Sequence, residues 1–289
     1  MPKEIASKAD FEYCKKLHKE ISKTFYIASR SFPKKLRQRM DATYGFVRFP
    51  DEWVDNSKLP VDEVRRLLER YRFQLQDLVE NGNTSEFATV RAFGQVVLET
   101  QMPLDEPFLF LEGMEMDTHK FRYENYEELQ SYMRRSASAI AIMVNYGFEM
   151  EHTEETTQAA IDYGEALQLT NILRDIKEDS ERGRIYLPQD MMAKYHIQDY
   201  DIMNRRYIPG FIDLMKELIA INRATYKKAN DGIHLLPKKM QKGARACTHL
   251  YSMILDEIEK MDYNIYKGRA SISGKKKMLE TGKVLLGRA

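Results

Sequence analysis

Apolar residues recur along this chain mainly at the three- and four-residue spacing of helices, and no period-two alternation bounded by turn residues stands out. Gly (14 residues) and Pro (9 residues) are scarce, so few turns are indicated. Pro33, Pro60 and the Asn81-Gly82-Asn83 run mark the clearest helix boundaries. The pattern predicts helices over residues 8–30, 34–56, 61–80, 84–101, 105–119, 125–149, 154–179, 200–230, 238–266 and 274–284.

The chain shows no flexible linker, fixed-period repeat or low-complexity segment that would separate two halves. We therefore predict one all-α domain over residues 1–289, with about ten helices around a thick core or a central cleft.

Composition and charge exclude several classes of protein. Hydrophobic residues make up 43% of the chain and charged residues 31%, with a net charge of +1, which argues against a nucleic-acid partner. Two cysteines, Cys14 and Cys247, imply neither a disulfide framework nor a zinc site and favour a reducing, intracellular location. No segment has the apolar length of a signal peptide or a membrane-spanning helix.

A first acidic cluster, DEWVD (51–55), follows the largely apolar stretch TYGFVRFP. Asp51 and Asp55 are four residues apart, and on an isolated helix such like charges repel by roughly 0.2–0.5 kcal/mol per pair. A solvated surface tolerates this repulsion, whereas a cavity requires a cation between the carboxylates.

A second acidic cluster lies in DYGEALQLTNILRDIKEDSERGRIYLP (162–188). Gln168, Asn171, Asp175 and Asp179 step by three, four and four residues, which places them on one face of a helix. Leu and Ile residues occupy much of the remaining circumference, so the helix is predicted to be buried. The polar side chains of this stripe must therefore bind partners. Without partners, their burial would destabilise the fold by an amount on the order of several kcal/mol.

These clusters contain oxygen ligands without Cys or His, which favours Mg²⁺ over Zn²⁺, with Mn²⁺ as the alternative. Mg²⁺ held by few carboxylates is usually completed by water and substrate phosphates, and no GxxxxGK[ST] loop is present. Arg48, Arg174 and Arg184 stand beside the acids and either neutralise them or bind phosphate. For Arg174 neutralisation and phosphate binding are equally supported, and for Arg48 phosphate binding is favoured.

Four segments resemble signatures of the squalene/phytoene synthase family, the head-to-head prenyl diphosphate condensing enzymes. QLTNILRDIKED followed by RGRIYLP is similar to the second aspartate-rich signature of that family, and YGFVRFPDEWVD to its first. SKTFY (22–26) resembles an N-terminal motif, and LYSMILDEIEKMDYNIYKGRASISGKKK (250–277) resembles the C-terminal signature. The likeness covers nearly the whole chain and is nearer in appearance to prokaryotic phytoene synthases than to squalene synthases.

The resemblance implies an isoprenoid (terpenoid) synthase fold with a central cavity, whose mouth carries the two acidic motifs facing each other. It implies condensation of two prenyl diphosphates through a cyclopropylcarbinyl diphosphate. The implied Mg²⁺ ligands are Asp51, Asp55, Asn171, Asp175 and Asp179, with Tyr44 and Arg48 as further catalytic residues. The implied substrate-binding residues are Ser22, Lys23, Phe25, Gln168, Asn171, Arg174, Arg184, Tyr186, Tyr251 and Arg269. Leu167 is expected on the cavity wall, and Arg184 and Tyr186 on a loop that could close over the site.

Two departures from the family pattern bear on these expectations. Pro50 precedes Asp51 within a predicted helix, so either the helix bends there or a new helix begins with Pro50 in its first turn. The second option would rotate Tyr44 and Arg48 away from the Asp51/Asp55 face. YMRRSASAIAIMV (132–144) places Arg134 where an aromatic residue is common and Ser138 where Gly is common.

The first functional hypothesis is synthesis of phytoene from two C20 geranylgeranyl diphosphates in carotenoid biosynthesis. The second is the same chemistry on two C15 farnesyl diphosphates, which gives dehydrosqualene, or squalene if NADPH reduces the intermediate. No segment resembles a nucleotide site, so NADPH is disfavoured. A non-catalytic helical assembly factor is the remaining alternative, and it predicts eroded acidic motifs.

The expected partners are two prenyl diphosphate molecules and no nucleic acid. We expect a monomer or a weak homodimer in the cytoplasm, with peripheral contact to the inner face of the membrane through the basic segment KGRASISGKKK. A solvated tail is the simpler interpretation of that segment.

Overall fold

A computed structural model of the chain describes residues 5–21, 26, 29 and 32–286. Throughout this part of the chain, the regular structure is helical and no strand occurs. The α-helices, numbered α1 to α13 in order, are Lys8–Ile21, Lys34–Asp55, Val61–Asn81, Ala88–Thr100, Asp105–Met116, Tyr126–Met133, Ala139–Gly147, Glu154–Glu181, Gln189–Lys194, Asp199–Met203, Pro209–Asp231, Lys238–Lys260 and Gly274–Leu285. A π-helical turn, Arg134–Ser138, joins α6 to α7, and a 3-10 turn, Gly232–Leu235, follows α11.

The predicted all-α class is confirmed, and so are most of the predicted helices. The predictions for 34–56, 61–80, 154–179 and 274–284 agree with α2, α3, α8 and α13 to within two residues at each end. Helix α3 begins after Pro60, carries acids in its first turn and ends at Gly82, whose φ of 73° is a conformation that favours glycine. The predicted helix over 8–30 is described as α1 up to Ile21, and most of residues 22–31 lie outside the described residues.

The structure differs from the predicted helices in three places. The range 200–230 holds two helices, because Ile208, which precedes Pro209, is extended and interrupts the helical path. Helix α9, which follows Pro188, was missed. The range 125–149 contains the π-helical turn Arg134–Ser138, so its hydrogen bonding is not α-helical throughout.

The chain divides into two compact units: residues 1–119 with 138–160, and residues 120–137 with 161–289. The first unit contains the first acidic motif, and the second contains the second acidic motif and the C-terminal signature. The single domain over residues 1–289 stays a prediction.

The core of the first unit is aromatic. The Phe46 ring stacks on Phe93 and on Tyr71, with centroids 4.3 and 5.0 Å apart, and all three residues are fully buried. Helix α1 crosses α2 closely, because Gly45 leaves room for Cys14. This packing fixes the middle of α2, the helix that carries Tyr44 and Arg48.

The second unit is organised around α8. Fully buried Thr170 donates to the Ala166 carbonyl at 2.8 Å, and the Tyr226 hydroxyl of α11 lies 2.8 Å from the Thr170 Oγ1. Asn222, also on α11, lies 2.8 Å from the same oxygen. These bonds attach α8 to α11 in the middle of the segment that carries the polar stripe.

Candidate active site

The first acidic motif lies at the end of a continuous helix. Helix α2 runs through Pro50 to Asp55, so the alternative of a new helix beginning at Pro50 is wrong. Tyr44, Arg48, Asp51 and Asp55 step by four, three and four residues and therefore share one helical face.

Arg48 neutralises the acids of its own helix. Its Nη1 donates to Asp51 Oδ2 at 2.5 Å, and its Nη2 pairs with Glu52. The Asp51 side chain keeps 45% of its surface accessible. Its pKa is nevertheless raised, first because surrounding protein displaces water and then because Asp55 repels its charge, against the opposing effect of Arg48. The like-charge repulsion inferred from the spacing is therefore present, and a cation beside Asp51 would relieve it.

Tyr44 rests on a buried histidine. The rings of Tyr44 and His18 are stacked, with centroids 4.1 Å apart and an interplanar angle of 5°. His18 Nδ1 lies 2.7 Å from Asp41 Oδ1, and both residues are buried. This pair holds the ring beneath Tyr44. Sequence reasoning missed it, because six scattered histidines form no spacing motif.

The second acidic motif forms the predicted stripe on α8. Gln168, Asn171, Asp175 and Asp179 are all half-buried, while most of the apolar residues between them are buried. Asn171 Nδ2 donates to Gln168 Oε1 at 3.4 Å, and the Asn171 Oδ1 is buried without a hydrogen-bond partner. Leu167, expected on a cavity wall, is half-buried.

Two arginines hold Asp175 in bidentate fashion. Arg174 donates to its two oxygens at 2.8 and 2.5 Å, and Arg269 at 2.7 and 2.8 Å. Burial alone would raise the pKa of Asp175, but the hydrogen bonds from Arg174 and Arg269 hold it below its ordinary value. Tyr251 interacts electrostatically with Asp175 and with both arginines, and burial raises its pKa to about 12. The structure thus brings together four of the sequence-predicted residues.

Asp179, Arg184 and Tyr186 line a small pocket between the end of α8 and the loop that follows it. Arg184 and Tyr186 are buried, and the Tyr186 ring stacks on those of Tyr123 and Tyr132. The backbone N–H of Ile185 donates to the Phe121 carbonyl at 3.0 Å. The loop that was expected to close over the site is therefore packed into its unit.

The remaining predicted residues of the N-terminal motif, Ser22, Lys23 and Phe25, lie outside the described residues. Within the described ranges, no three His, Cys, Asp or Glu side chains converge on a ready metal site. The donor set still fits a hard cation, because its ligand atoms are all oxygens and the Asn171 Oδ1 has no other bond. Both oxygens of Asp175 are already engaged by arginine, so a metal there must share them or displace a guanidinium.

A family model described as squalene/phytoene synthase matches residues 18–276. The chain is 35% identical over 276 residues to a chloroplastic phytoene synthase of an Oncidium hybrid cultivar, covering 93% of this chain and 66% of that protein. It is 30% identical over 292 residues to the phytoene synthase of Arthrospira platensis, covering 95% of this chain and 92% of that protein. The chain thus spans about two thirds of the length of the Oncidium relative.

Solved structures of the same fold include a dehydrosqualene synthase in complex with ligand, with a TM-score of 0.88, 25% identity, and coverage of 97% of this chain and 96% of that one. A squalene synthase from Alicyclobacillus acidocaldarius has a TM-score of 0.81 at 23% identity, with coverage of 89% and 95%. The fold is that of the terpenoid synthases. No helix in the described ranges combines the length and the apolarity needed to cross a membrane.

Proposed function

Because the chain belongs to the squalene/phytoene synthase family, whose members are prenyltransferases, we propose that it joins two geranylgeranyl diphosphates head to head to give phytoene. The observation that carries this proposal is the half-buried stripe on α8, in which a doubly arginine-bound Asp175 stands one turn from an Asn171 oxygen without a partner. Such a face offers both anionic oxygens for a cation and guanidinium groups for a diphosphate.

The proposed Mg²⁺ ligands are Asp51 and Asp55 in the first motif and Asn171, Asp175 and Asp179 in the second. When bound, Mg²⁺ stabilises the charge that develops on a departing diphosphate. Burial, and then repulsion by Asp55, raise the pKa of Asp51, and a cation in the first motif would offset that repulsion. Mn²⁺ is expected to substitute, since its preference for oxygen ligands is similar.

The arginines are proposed to change partners when substrate binds. The Arg269 side chain is 53% exposed, whereas the Asp175 side chain is 19% exposed. Arg269 can therefore turn toward a diphosphate while Arg174 continues to hold the less exposed Asp175. A guanidinium matches the geometry of phosphate oxygens as well as that of a carboxylate. Metal and diphosphate should accordingly bind together more tightly than either binds alone.

The other predicted residues keep their proposed roles. Gln168 and Tyr251 are proposed to bind substrate, and Tyr44 is proposed to act beside Arg48 in the pocket. Arg184 and Tyr186 are proposed to bind substrate from the loop after α8. Ser22, Lys23 and Phe25 are proposed to contact substrate near the N terminus.

The second candidate substrate is C15 farnesyl diphosphate, and the observation that favours it is the high similarity to a dehydrosqualene synthase structure. Condensation without reduction then gives dehydrosqualene. We propose that NADPH is not required for either substrate.

A product assay separates these outcomes. Purified protein is given Mg²⁺ and either geranylgeranyl or farnesyl diphosphate, with and without NADPH, and hydrocarbons are separated by chromatography. A C40 product without NADPH is expected. A C30 product would replace the substrate assignment, with the NADPH response deciding between dehydrosqualene and squalene. A folded protein that gives no hydrocarbon from either substrate would indicate a non-catalytic assembly factor.

Asp175→Asn tests the second motif. Turnover should be abolished with the fold intact, as judged by circular dichroism and the urea midpoint. Asp213→Asn is the matched control, because Asp213 is an exposed aspartate paired with Lys216 at 3.2 Å and is outside both motifs. Full activity of Asp175→Asn would contradict the proposed metal site.

Coupling of metal and diphosphate is tested by thermal stabilisation, since a ligand of the folded state raises stability by mass action. Mg²⁺ and inorganic diphosphate together should raise the melting temperature by more than the sum of their separate effects. Arg269→Ala should reduce this excess. An additive response in the unaltered protein would contradict the exchange of partners proposed for Arg269.

We propose that α13 and the basic residues just before it make peripheral contact with the inner face of the membrane. Met278, Leu279 and Leu286 are exposed there, among Lys275, Lys276, Lys277 and Lys283. Such a helix suits an anionic lipid surface, with a contribution of about 1 kcal/mol per basic residue.

Met278→Ser/Leu279→Ser should reduce sedimentation with anionic vesicles. Phe73→Ser, which alters an exposed apolar residue of α3, should leave sedimentation unchanged. Equal binding by all three proteins would favour a solvated tail.

A monomer or weak homodimer is proposed, and sedimentation velocity at several concentrations tests it.

A further inference from the structure

Helix α2 continues through a proline, and this leaves a buried carbonyl without its helical donor. In an α-helix the N–H of each residue bonds to the carbonyl four residues earlier, so Pro50 supplies no donor to Phe46. Phe46 is fully buried and out of reach of solvent. An unsatisfied carbonyl in such a place is destabilising and would favour a break in the helix before Asp51.

The missing donor is replaced from another helix. The Tyr71 hydroxyl of α3 donates to the Phe46 carbonyl at 3.1 Å, and Thr89 Oγ1 of α4 lies 2.7 Å from the same hydroxyl. The Tyr71 ring is fully buried and stacks on the Phe46 ring, and the edge of Trp53 packs against it with centroids 5.3 Å apart. Burial also raises the pKa of Tyr71 well above its ordinary value, so the hydroxyl keeps its proton.

We propose that Tyr71 is a positioning residue for the first acidic motif. Its hydroxyl takes the place of the N–H that Pro50 lacks and so fixes the direction of the last turn of α2, which presents Asp51 and Asp55. The role assigned to those aspartates rests on the proposed function. The replacement of one hydrogen-bond donor by another does not depend on it.

The alternative is that Tyr71 only fills the core. The two interpretations differ in how Tyr71 and Pro50 depend on each other. If the hydroxyl replaces the absent N–H, then restoring the N–H with Pro50→Ala should make the hydroxyl largely dispensable. If Tyr71 only packs, its loss should cost the same in both backgrounds.

The experiment is a double-mutant cycle with Tyr71→Phe, Pro50→Ala and the double variant, measured first as urea midpoints without ligand. Tyr71→Phe should lower the midpoint in the unaltered protein by at least twice as much as it does in the Pro50→Ala background. The second readout is steady-state kinetics at limiting Mg²⁺. Tyr71→Phe should raise the Mg²⁺ concentration for half-maximal rate several-fold with a smaller change in kcat, and Pro50→Ala should restore it to within twofold.

Tyr226→Phe is the matched control. Tyr226 is also a buried tyrosine with its hydroxyl 2.8 Å from a threonine oxygen, that of Thr170, and no proline lies in the helix it contacts. Its effect on the urea midpoint should be the same with and without Pro50→Ala. This control separates general loss of a buried tyrosine hydroxyl from the specific link to Pro50.

Each outcome decides the proposal. Equal effects of Tyr71→Phe in both backgrounds would overturn it. If Tyr71→Phe fails to fold alone but folds with Pro50→Ala, the predicted link is present in its strongest form, and failure of both variants would contradict it. If the midpoints show the link while the unaltered protein neither binds Mg²⁺ with diphosphate nor turns over, the proposed function fails and the hydrogen-bond replacement stands. If the link appears and Mg²⁺ dependence is unchanged, the positioning role is wrong.

Discussion

Replacing Gly45 by Ala should destabilise the protein, although alanine is the better helix former. In an unhindered helix this change contributes about 0.5–1 kcal/mol of stability. A β-carbon at Gly45 would lie 2.5 Å from Cys14 Sγ, 2.9 Å from Cys14 Cβ and 3.2 Å from Cys14 Cα. Since the last of these is a backbone atom of α1, side-chain rotation cannot relieve the contact. Overpacking of this kind costs about 1–3 kcal/mol.

Near the middle of these ranges the overpacking cost outweighs the gain in helix propensity, so a net loss of about 1 kcal/mol is expected. Urea unfolding followed by circular dichroism measures it as a lower midpoint at unchanged slope. Adding Cys14→Ala should recover part of the loss, because it removes the Sγ contact and leaves the Cβ contact.

Gly147→Ala is the control for this prediction. The nearest heavy atom to a β-carbon there is Arg39 Cβ at 3.6 Å, an ordinary contact, so this variant should be neutral or slightly stabilising. Gly94→Ala should lie between the two, because its clash at 2.5 Å is with Cδ2 at the flexible end of Leu78. A Gly45→Ala protein as stable as Gly147→Ala would refute the close crossing of α1 and α2.

Two further predictions concern buried ionisable groups. Burial would raise the pKa of Asp10, but hydrogen bonding from Arg91 at 2.5 Å holds it below the ordinary value. This stabilisation is present above the unfolded pKa of about 3.9 and is lost as pH falls through the folded value, so Asp10→Asn should cost about 1–3 kcal/mol at neutral pH and nothing in strong acid. A difference in stability that stays constant with pH would contradict this. Burial raises the pKa of Cys14 and Cys247 to about 12, so neither thiol should react with a disulfide reagent at pH 8 until urea unfolds the chain. Rapid labelling of the folded protein would count against the burial of these helices.

Long periodic segments with clear boundary residues were predictable from the sequence, and α3 is the best example. Pro60, the acids of the first turn and Gly82 are local signals, and the structure uses all of them. The prediction of a single helix over 200–230 is wrong because periodicity continues through Ile208-Pro209, and proline disfavours helical geometry at the residue before it. That signal was present in the sequence, but the same signal at Phe49-Pro50 does not interrupt α2.

The site was predictable as a set of residue types and only partly as a set of contacts. The stripe on α8 follows from spacing, because all four residues belong to one helix. The second arginine on Asp175 is 94 residues away, and no local pattern could pair it with that carboxylate. The sequence predicts that Arg48 binds phosphate. In this structure its guanidinium instead binds Asp51 and Glu52, so phosphate binding by Arg48 stays a prediction.

Pro50 shows how a local rule can point to a distant partner. The sequence alone offered a bend or a new helix, because both follow from the loss of one N–H. The structure keeps the helix, and the compensating donor, Tyr71, comes from 25 residues along the chain. A buried carbonyl needs a partner wherever its helical donor is missing. A proline inside an apolar helical segment therefore predicts a donor on a neighbouring element, opposite the residue four positions earlier. In this chain that residue is Phe46, and the donor found there is a tyrosine whose ring also packs on it.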